Sequence, residues 1–311
     1  MPEIKALIYR EMPATWDPQF RGRFYARWGR ENAIILARTG RVQYPEYHQL
    51  LSIKAAFGGE ETYLVDRRRV TVDDDTFLVL NGGRRYGSLI ESGRPMTSFS
   101  IFFEPRLAGN VLRTLQQPVE LLLENHEDDA PGTVEFAEVV RPHDRSVTPV
   151  LKYIRSVIAK GEVDDVWVEE QLGFLLQRML RLHYRTQDVL ERIPSLKRAT
   201  RRELLRRAGL GFDYIHAHYR DPIGLREIAS AARMSRFHFL RTFQAVYGTT
   251  PFGCLNGKRT QAAIRLLRTS GWSMLSIAHH VGFGSRTTLF RQVRAMTGLS
   301  PAQIRAQSVE T

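Results

Sequence analysis

The stretch KRTQAAIRLLRTSGWSMLSIAHHVGFGSRTTLFRQVRAMTGLSPAQIR, residues 258–305, decides the fold of the last third of the chain. Its apolar side chains recur at helical spacing, Ser285 stands where a helix would open, and Gly298 where it would end. Set against the residues before it, the stretch completes a repeat of about fifty residues. Ile228-Ala229 corresponds to Ile277-Ala278; after a one-residue slip, Ser235, Arg236, Arg241, Gly248 and Pro251 correspond to Ser285, Arg286, Arg291, Gly298 and Pro301. Each copy reads as a helix carrying Ile-Ala, a tight turn, and a second helix that opens on a Ser N-cap and stops before Gly. That is the pattern of a helix-turn-helix, met twice.

The second helix of each copy has two faces. In the first copy Phe239, Phe243 and Val246 fall on an inner face and leave Arg236, Phe237, Leu240, Arg241 and Gln244 outside. In the second copy Leu289, Val293 and Met296 form the inner face, and Arg286, Thr287, Phe290, Arg291 and Arg294 the outer one. Such an outer face suits a major groove, because Arg offers two parallel donors to guanine while Thr and apolar groups can touch a thymine methyl. Base reading is therefore expected of Arg236, Phe237, Leu240, Arg241, Arg286, Thr287, Phe290 and Arg291, within helices 235–247 and 285–297. A single basic helix face is ordinarily just solvated surface; its repetition argues for a reader. From Ala229 to Val309 the chain has no Asp or Glu, so nothing screens the basic surface. Arg233, Lys258, Arg259, Arg265, Arg268 and Arg294 become candidates for phosphate contacts, which position a protein without reading sequence.

With these residues in view, the stretch resembles the signature of AraC/XylS regulators. The pattern is met by Arg259, Ala263, Leu266-Leu267, Ile277-Ala278, Val281-Gly282-Phe283, Ser285, Gly298, Ser300-Pro301 and Arg305, and the resemblance covers about 220 to 305. It implies two helix-turn-helix subdomains joined by a rigid linker helix, about Asn256 to Arg268, each sending one recognition helix into successive major grooves. It also implies double-stranded DNA as partner, activation through contact with RNA polymerase, and a bacterial, nucleoid-associated location. Val293 departs from the family's usual Phe, and Leu240 and Phe290 are apolar where polar residues are common.

Upstream, short apolar or alternating runs at Ala33–Ala37, Leu50–Ala56, Thr62–Val65, Arg69–Val72, Thr76–Leu80 and Thr97–Phe103 predict an antiparallel β-barrel or sandwich. Turns are expected near Asp66 to Arg68, at Asp73 to Asp75 and at Gly82-Gly83. The barrel resembles the cupin-like sensor domain of many AraC-type regulators, which implies a small-molecule effector of unknown identity. Tyr44, Tyr47, Tyr63, Arg84 and Tyr86 are the candidate pocket residues. His48 has no second His nearby, so neither a metal nor a cofactor is expected.

Residues 119–146 read as loop with some strand. Pro149 opens one amphipathic helix that runs to Gly161, and Asp164-Asp165 open another. The stripe Leu172, Leu175, Met179 and Leu182 on the second helix is expected either to cover the barrel or to form a homodimer interface; a homodimer is the reading adopted. Thr186 to Arg202, polar and interrupted by Pro194, reads as a linker. The chain is thus expected to be α+β: 1–185, a cupin-like sensing and dimerising domain; 186–202, linker; 203–311, an all-α reader with two helix-turn-helix motifs.

Composition bounds the rest. The 311 residues exceed one ordinary core, and 45 Lys and Arg against 33 Asp and Glu give a net charge of +12, suited to a polyanionic partner. No run of eighteen apolar residues is present and the opening residues do not resemble a signal peptide, so no membrane is expected. A single cysteine, Cys254, fits a reducing cytoplasm. It also follows Pro251 inside the reader, where packing explains it better than a methyl-accepting or other enzymatic role.

Overall fold

The computed structural model describes residues 6–14, 17–66, 68–116, 134–161, 163–191 and 198–307. The chain divides into two compact units, residues 1–188 and 189–311.

The first unit is built on one curled sheet. Its strands are β1 (Leu7–Tyr9), β2 (Ala33–His48), β3 (Ser52–Phe57), β4 (Glu61–Val65), β5 (Arg68–Val72), β6 (Thr76–Leu80), β7 (Arg85–Phe102) and β8 (Val140–Pro142). The order β1-β2-β7-β3-β6-β8 is joined by β4, which pairs with β5 and β7. The expected antiparallel barrel needs correction: β1 runs parallel to β2, so the sheet is mixed, and it forms a half-barrel. The reason is the connection, since α1 (Pro18–Arg27) carries the chain across between β1 and β2, as a parallel pair requires.

Two strands are far longer than their apolar runs suggested. β2 continues past Ala37 to His48, and β7 begins at Arg85 rather than Thr97. The added halves are polar and pair with each other, Arg41 with Glu91 through His48 with Arg85, across irregularities after Thr39 and Tyr44. At the second of these, Gly87 lies so close to β2 that a Cβ would stand 2.6 Å from the Tyr44 carbonyl oxygen. β7 pairs with β4 along its first half and with β3 along its second, which bends the sheet around its own inner face.

Strand alternation gives that sheet two different faces. Ile53, Ala55, Phe77, Phe99 and Ile101 point to the helices α3 (Val147–Lys160) and α4 (Asp165–Glu191) and share a core with Leu151, Ile154 and Ile158. Leu172, Leu175 and Met179 lie fully in that core and Leu182 packs against it. The homodimer stripe is therefore corrected: these side chains are already covered by their own chain's sheet. Another helix, α2 (Pro105–Gln116), was not foreseen. Of the predicted loop at 119–146, residues 119–133 lie outside the described residues.

The second unit is helical: α5 (Arg198–His218), α6 (Leu225–Ala231), α7 (Arg236–Tyr247), α8 (Pro251–Thr269), α9 (Met274–His280), α10 (Arg286–Thr297) and α11 (Pro301–Gln307). The expected linker is largely helical instead. Residues 186–191 prolong α4 and 198–202 open α5, while 192–197 lie outside the described residues. The helix α5 exists because Leu204, Leu205, Ala208, Phe212 and Ile215 form a buried stripe, a period masked by the Arg-rich surroundings. It meets α7 closely at Gly211, where any Cβ would collide with the Phe239 ring.

Candidate nucleic-acid interface

The helices α7 and α10 are framed by the same chemistry. Ser235 Oγ accepts from the His238 amide at 3.4 Å and Ser285 Oγ from that of Thr288 at 3.2 Å, each capping a helix N-terminus. Gly248 and Gly298 end the two helices at φ 68° and 75°, left-handed conformations that glycine adopts without a steric cost. Behind α7, Phe239, Thr242, Phe243 and Val246 are buried; behind α10, Leu289 and Val293 are. Val293, the family departure, is fully buried beside Leu289, Phe283 and Ile304.

Six of the eight expected base readers are exposed: Arg236, Phe237, Arg241, Arg286, Thr287 and Arg291. Leu240 and Phe290 are half-buried. The two helices carry an Arg and a Phe one turn apart in opposite order, Arg241 at 5.8 Å from the Phe237 ring and Arg286 at 5.9 Å from the Phe290 ring. Met296, expected inside, is 46% exposed, because Leu299 packs against the core from beyond the Gly298 turn.

The phosphate candidates divide. Arg268 and Arg294 are exposed, as is Arg233, and Arg265 is half-buried. Lys258 is buried, with Nζ 5.8 Å from the centre of the Tyr219 ring, so it is corrected to an interior residue. Arg259 is corrected as well. Its Nε donates to the Tyr219 carbonyl at 2.6 Å and its Nη2 to that of Asp221 at 2.8 Å, fastening α8 to the end of α5. Burial lowers its pKa from the usual range. The same junction requires Gly282, at φ 87°, where a Cβ would lie 2.8 Å from the carbonyl oxygens of both Tyr219 and Arg220. Arg305 ties α11 back to the loop before α9 by donating to the Trp272 carbonyl at 2.5 Å.

A second site lies inside the first unit, on the sheet face opposite α3 and α4. A cavity there is walled by Phe24, Trp28, Phe102 and the four expected tyrosines, Tyr44, Tyr47, Tyr63 and Tyr86. Arg84, the fifth candidate, is corrected: it does not line the cavity and pairs with Asp66 at 3.4 Å and Glu138 at 3.1 Å. The Tyr44 hydroxyl donates to the Pro13 carbonyl at 2.7 Å, and those of Tyr86 and Ser52 share a hydrogen bond of 3.0 Å. Two charged residues that sequence reading missed also line it, Lys54 and Glu61, each 2% exposed. The only sequence signal was their place in the alternation, Lys54 between Ile53 and Ala55, and Glu61 two before Tyr63. Burial pushes the Lys54 ammonium below its usual range, against the pull of Glu61, and pushes the Glu61 carboxyl up. Among the described residues no cluster of three His, Cys, Asp or Glu is placed to hold a metal, and no helix is long and apolar enough to cross a membrane.

The helical unit thus has the architecture of a helix-turn-helix DNA-binding domain, and residues 228–307 match the family described as "Helix-turn-helix domain". The relatives that it resembles are HTH-type and AraC-like transcription regulators. Over 94 residues the chain is 33% identical to the HTH-type transcriptional regulator AlkR of Acinetobacter baylyi, covering 30% of this chain and 31% of that protein. Over 194 residues it is 29% identical to a putative AraC-like transcription regulator of Streptomyces antibioticus, covering 60% of this chain and 58% of that one. The crystal structure of the DNA-binding domain of AdpA in complex with a target DNA is similar to 31% of this chain and 87% of its own, at 33% identity and a TM-score of 0.30. The chain therefore spans less than two thirds of the length of these curated relatives. They are transcription regulators, a class distinct from enzymes.

Proposed function

We propose that the chain is a sequence-specific regulator of transcription that reads double-stranded DNA with two helix-turn-helix motifs, α6–α7 and α9–α10. Residues 203–311 act as the reader, with α7 and α10 in successive major grooves on one side of the duplex and α8 as the spacer between them. The observation that carries this reading is the repetition itself: two helices with matching Ser and Gly caps, each burying an apolar face and exposing two aligned arginines, Arg236 and Arg241, Arg286 and Arg291. Arg268, Arg294 and Arg233 hold phosphates, with Arg265 beside them. Residues 1–185 serve as a cupin-like domain that senses a small molecule through the inner cavity. The chain acts in the bacterial cytoplasm, on the nucleoid, as an activator that contacts RNA polymerase. It works as a homodimer, since pairing raises the effective concentration of readers at a two-site operator. Its interface uses surface other than the α4 stripe, and the exposed Tyr153, Val166 and Phe174 of α3 and α4 are the residues to test.

Titration of the full chain against its genomic site and against random duplex tests the reading. Arg241→Ala and Arg291→Ala each cost about 1–3 kcal/mol on the specific site and little on random DNA. Equal losses on both would make them phosphate contacts. Because the reading segments lie about 10 base pairs apart, inserting about five base pairs between them turns one helix off its groove. Undiminished affinity for that altered site would remove one of the two readers.

A further inference from the structure

The inner cavity is small-residue floor and aromatic wall around one unsatisfied charge. On β7, Ser88, Ser98 and Ser100 take inward positions where larger side chains would fill the space. Lys54 of β3 stands opposite Ser100 in the strand register, and Tyr63 of β4 opposite Ser88. The Lys54 ammonium is held against rings, 3.5 Å from the centre of Phe102, 5.3 Å from that of Tyr86 and 5.7 Å from that of Tyr63. Rings attract the charge but leave its three N–H donors without an acceptor.

Among the described residues Lys54 makes neither a hydrogen bond nor an ion pair. Glu61 acts on it electrostatically but is otherwise occupied, Oε2 accepting the Ser98 hydroxyl at 2.7 Å. A buried ammonium left in this state is costly to the fold, and a residue retained at such a cost in a cavity is suited to a partner from outside.

We infer that this cavity binds a small monocarboxylic acid with an apolar body, its carboxylate on the Lys54 ammonium and its body against Phe24, Trp28 and Phe102. Lys54 is the only Lys or Arg among the lining residues, so a single negative charge can be matched. A phosphate or dicarboxylate would bring a second charge with Glu61 already beside it. The walls formed by Phe24, Trp28 and Phe102 accept a ring or a short alkyl chain.

The inference rests on the sensing role proposed for residues 1–185, and the experiment separates the two. Calorimetric titration of the full chain with benzoate, 3-phenylpropionate and hexanoate, each beside its neutral amide, reads the charge preference directly on the unaltered protein. At least one acid binds saturably and at least tenfold tighter than its amide. Lys54→Met, which keeps the length and removes the charge, lowers acid affinity tenfold or more and leaves amide binding unchanged. Failure of all three acids to bind, amides binding as tightly as acids, or full acid affinity in Lys54→Met would each overturn the assignment. DNA titration with and without the bound acid is read apart from these results: an acid that binds through Lys54 without changing DNA affinity upholds the site and removes the sensing role.

Discussion

The two units of this chain treat charge in opposite ways. In the helical unit Arg236, Arg241, Arg286, Arg291 and Arg294 all stand in solvent on helices that bury one apolar face each. In the sheet unit Lys54 and Glu61 are turned inward, into a cavity walled by rings. An exposed row of guanidiniums meets a partner as large as a duplex and exchanges counterions with it, whereas an enclosed ammonium can only meet something small enough to enter. Burial, more than composition, sets the size of the partner. The helical unit adds a qualification, because Lys258 and Arg259 belong to its basic sequence yet serve its interior.

The largest effect that would sharpen this contrast concerns the sheet unit's own core. Leu175 is fully buried between α4 and the sheet, while its neighbour Phe174 is half exposed. Leu175→Ala therefore lowers stability by about 2–5 kcal/mol, and Phe174→Ala by well under 1 kcal/mol. Denaturant unfolding of the full chain checks the pair. A Leu175→Ala protein as stable as the parent but altered in sedimentation would return that residue to an interface.

Acid provides the next test, since the sheet unit buries histidines. His143 lies between the rings of Phe57 and Phe77, and His183 stacks edge-on against Phe136. Burial, followed by the Lys152 charge at His143 and the Arg141 charge at His183, holds both at about 4 instead of 6.5. A folded-state pKa below the unfolded one means that the unfolded chain takes up the proton first. Stability is complete above pH 6.5, falls as the pH drops toward 4, and loses no more from these groups below that. Each histidine contributes about 1–3 kcal/mol to this loss after allowance for partial exposure. Melting curves of the full chain between pH 7 and 4 should show it, and His143→Gln with His183→Gln should flatten the acid limb. An unchanged limb would mean that other groups govern acid unfolding.

The helical unit was legible in the sequence because its signals are local and doubled. Ser285, Gly298, Ile277-Ala278 and their counterparts fix caps and turns within a few residues, and two copies corroborate each other. The outward arginines followed from helical periodicity alone. The sheet unit was less legible, since its decisive contacts are distant in sequence. Nothing near Gln43 or Tyr44 announces that they pair with Leu89 and Ser88, so the polar halves of β2 and β7 fall outside the expected strand runs. Lys54 was not singled out as a site residue because no local pattern tells which face of β3 the curled sheet encloses. Arg259 sat correctly in the family pattern, but its role depends on two carbonyls about forty residues upstream, exposed only by the fold.

The smallest effect separates two arginines of one helix. Arg268 ends α8 in solvent, and Arg259, nine residues before it, is fastened to Tyr219 and Asp221. Each phosphate contact that is lost should reduce the slope of log affinity against log salt by about one, because one condensed counterion fewer is released on binding. Arg268→Ala should therefore weaken binding alike on specific and random DNA and flatten the slope by that amount, with the melting temperature unchanged. Arg259→Leu leaves two carbonyls without their donor and loosens the join of α5 to α8. It should lower the melting temperature and weaken specific binding while the salt slope of the remaining folded protein stays as it was. Titrations at several salt concentrations, run beside melting curves, distinguish the two. A flattened slope with full stability in Arg259→Leu would show that this guanidinium reaches a phosphate after all, and the division of the basic sequence into outward and inward charges would fail at that residue.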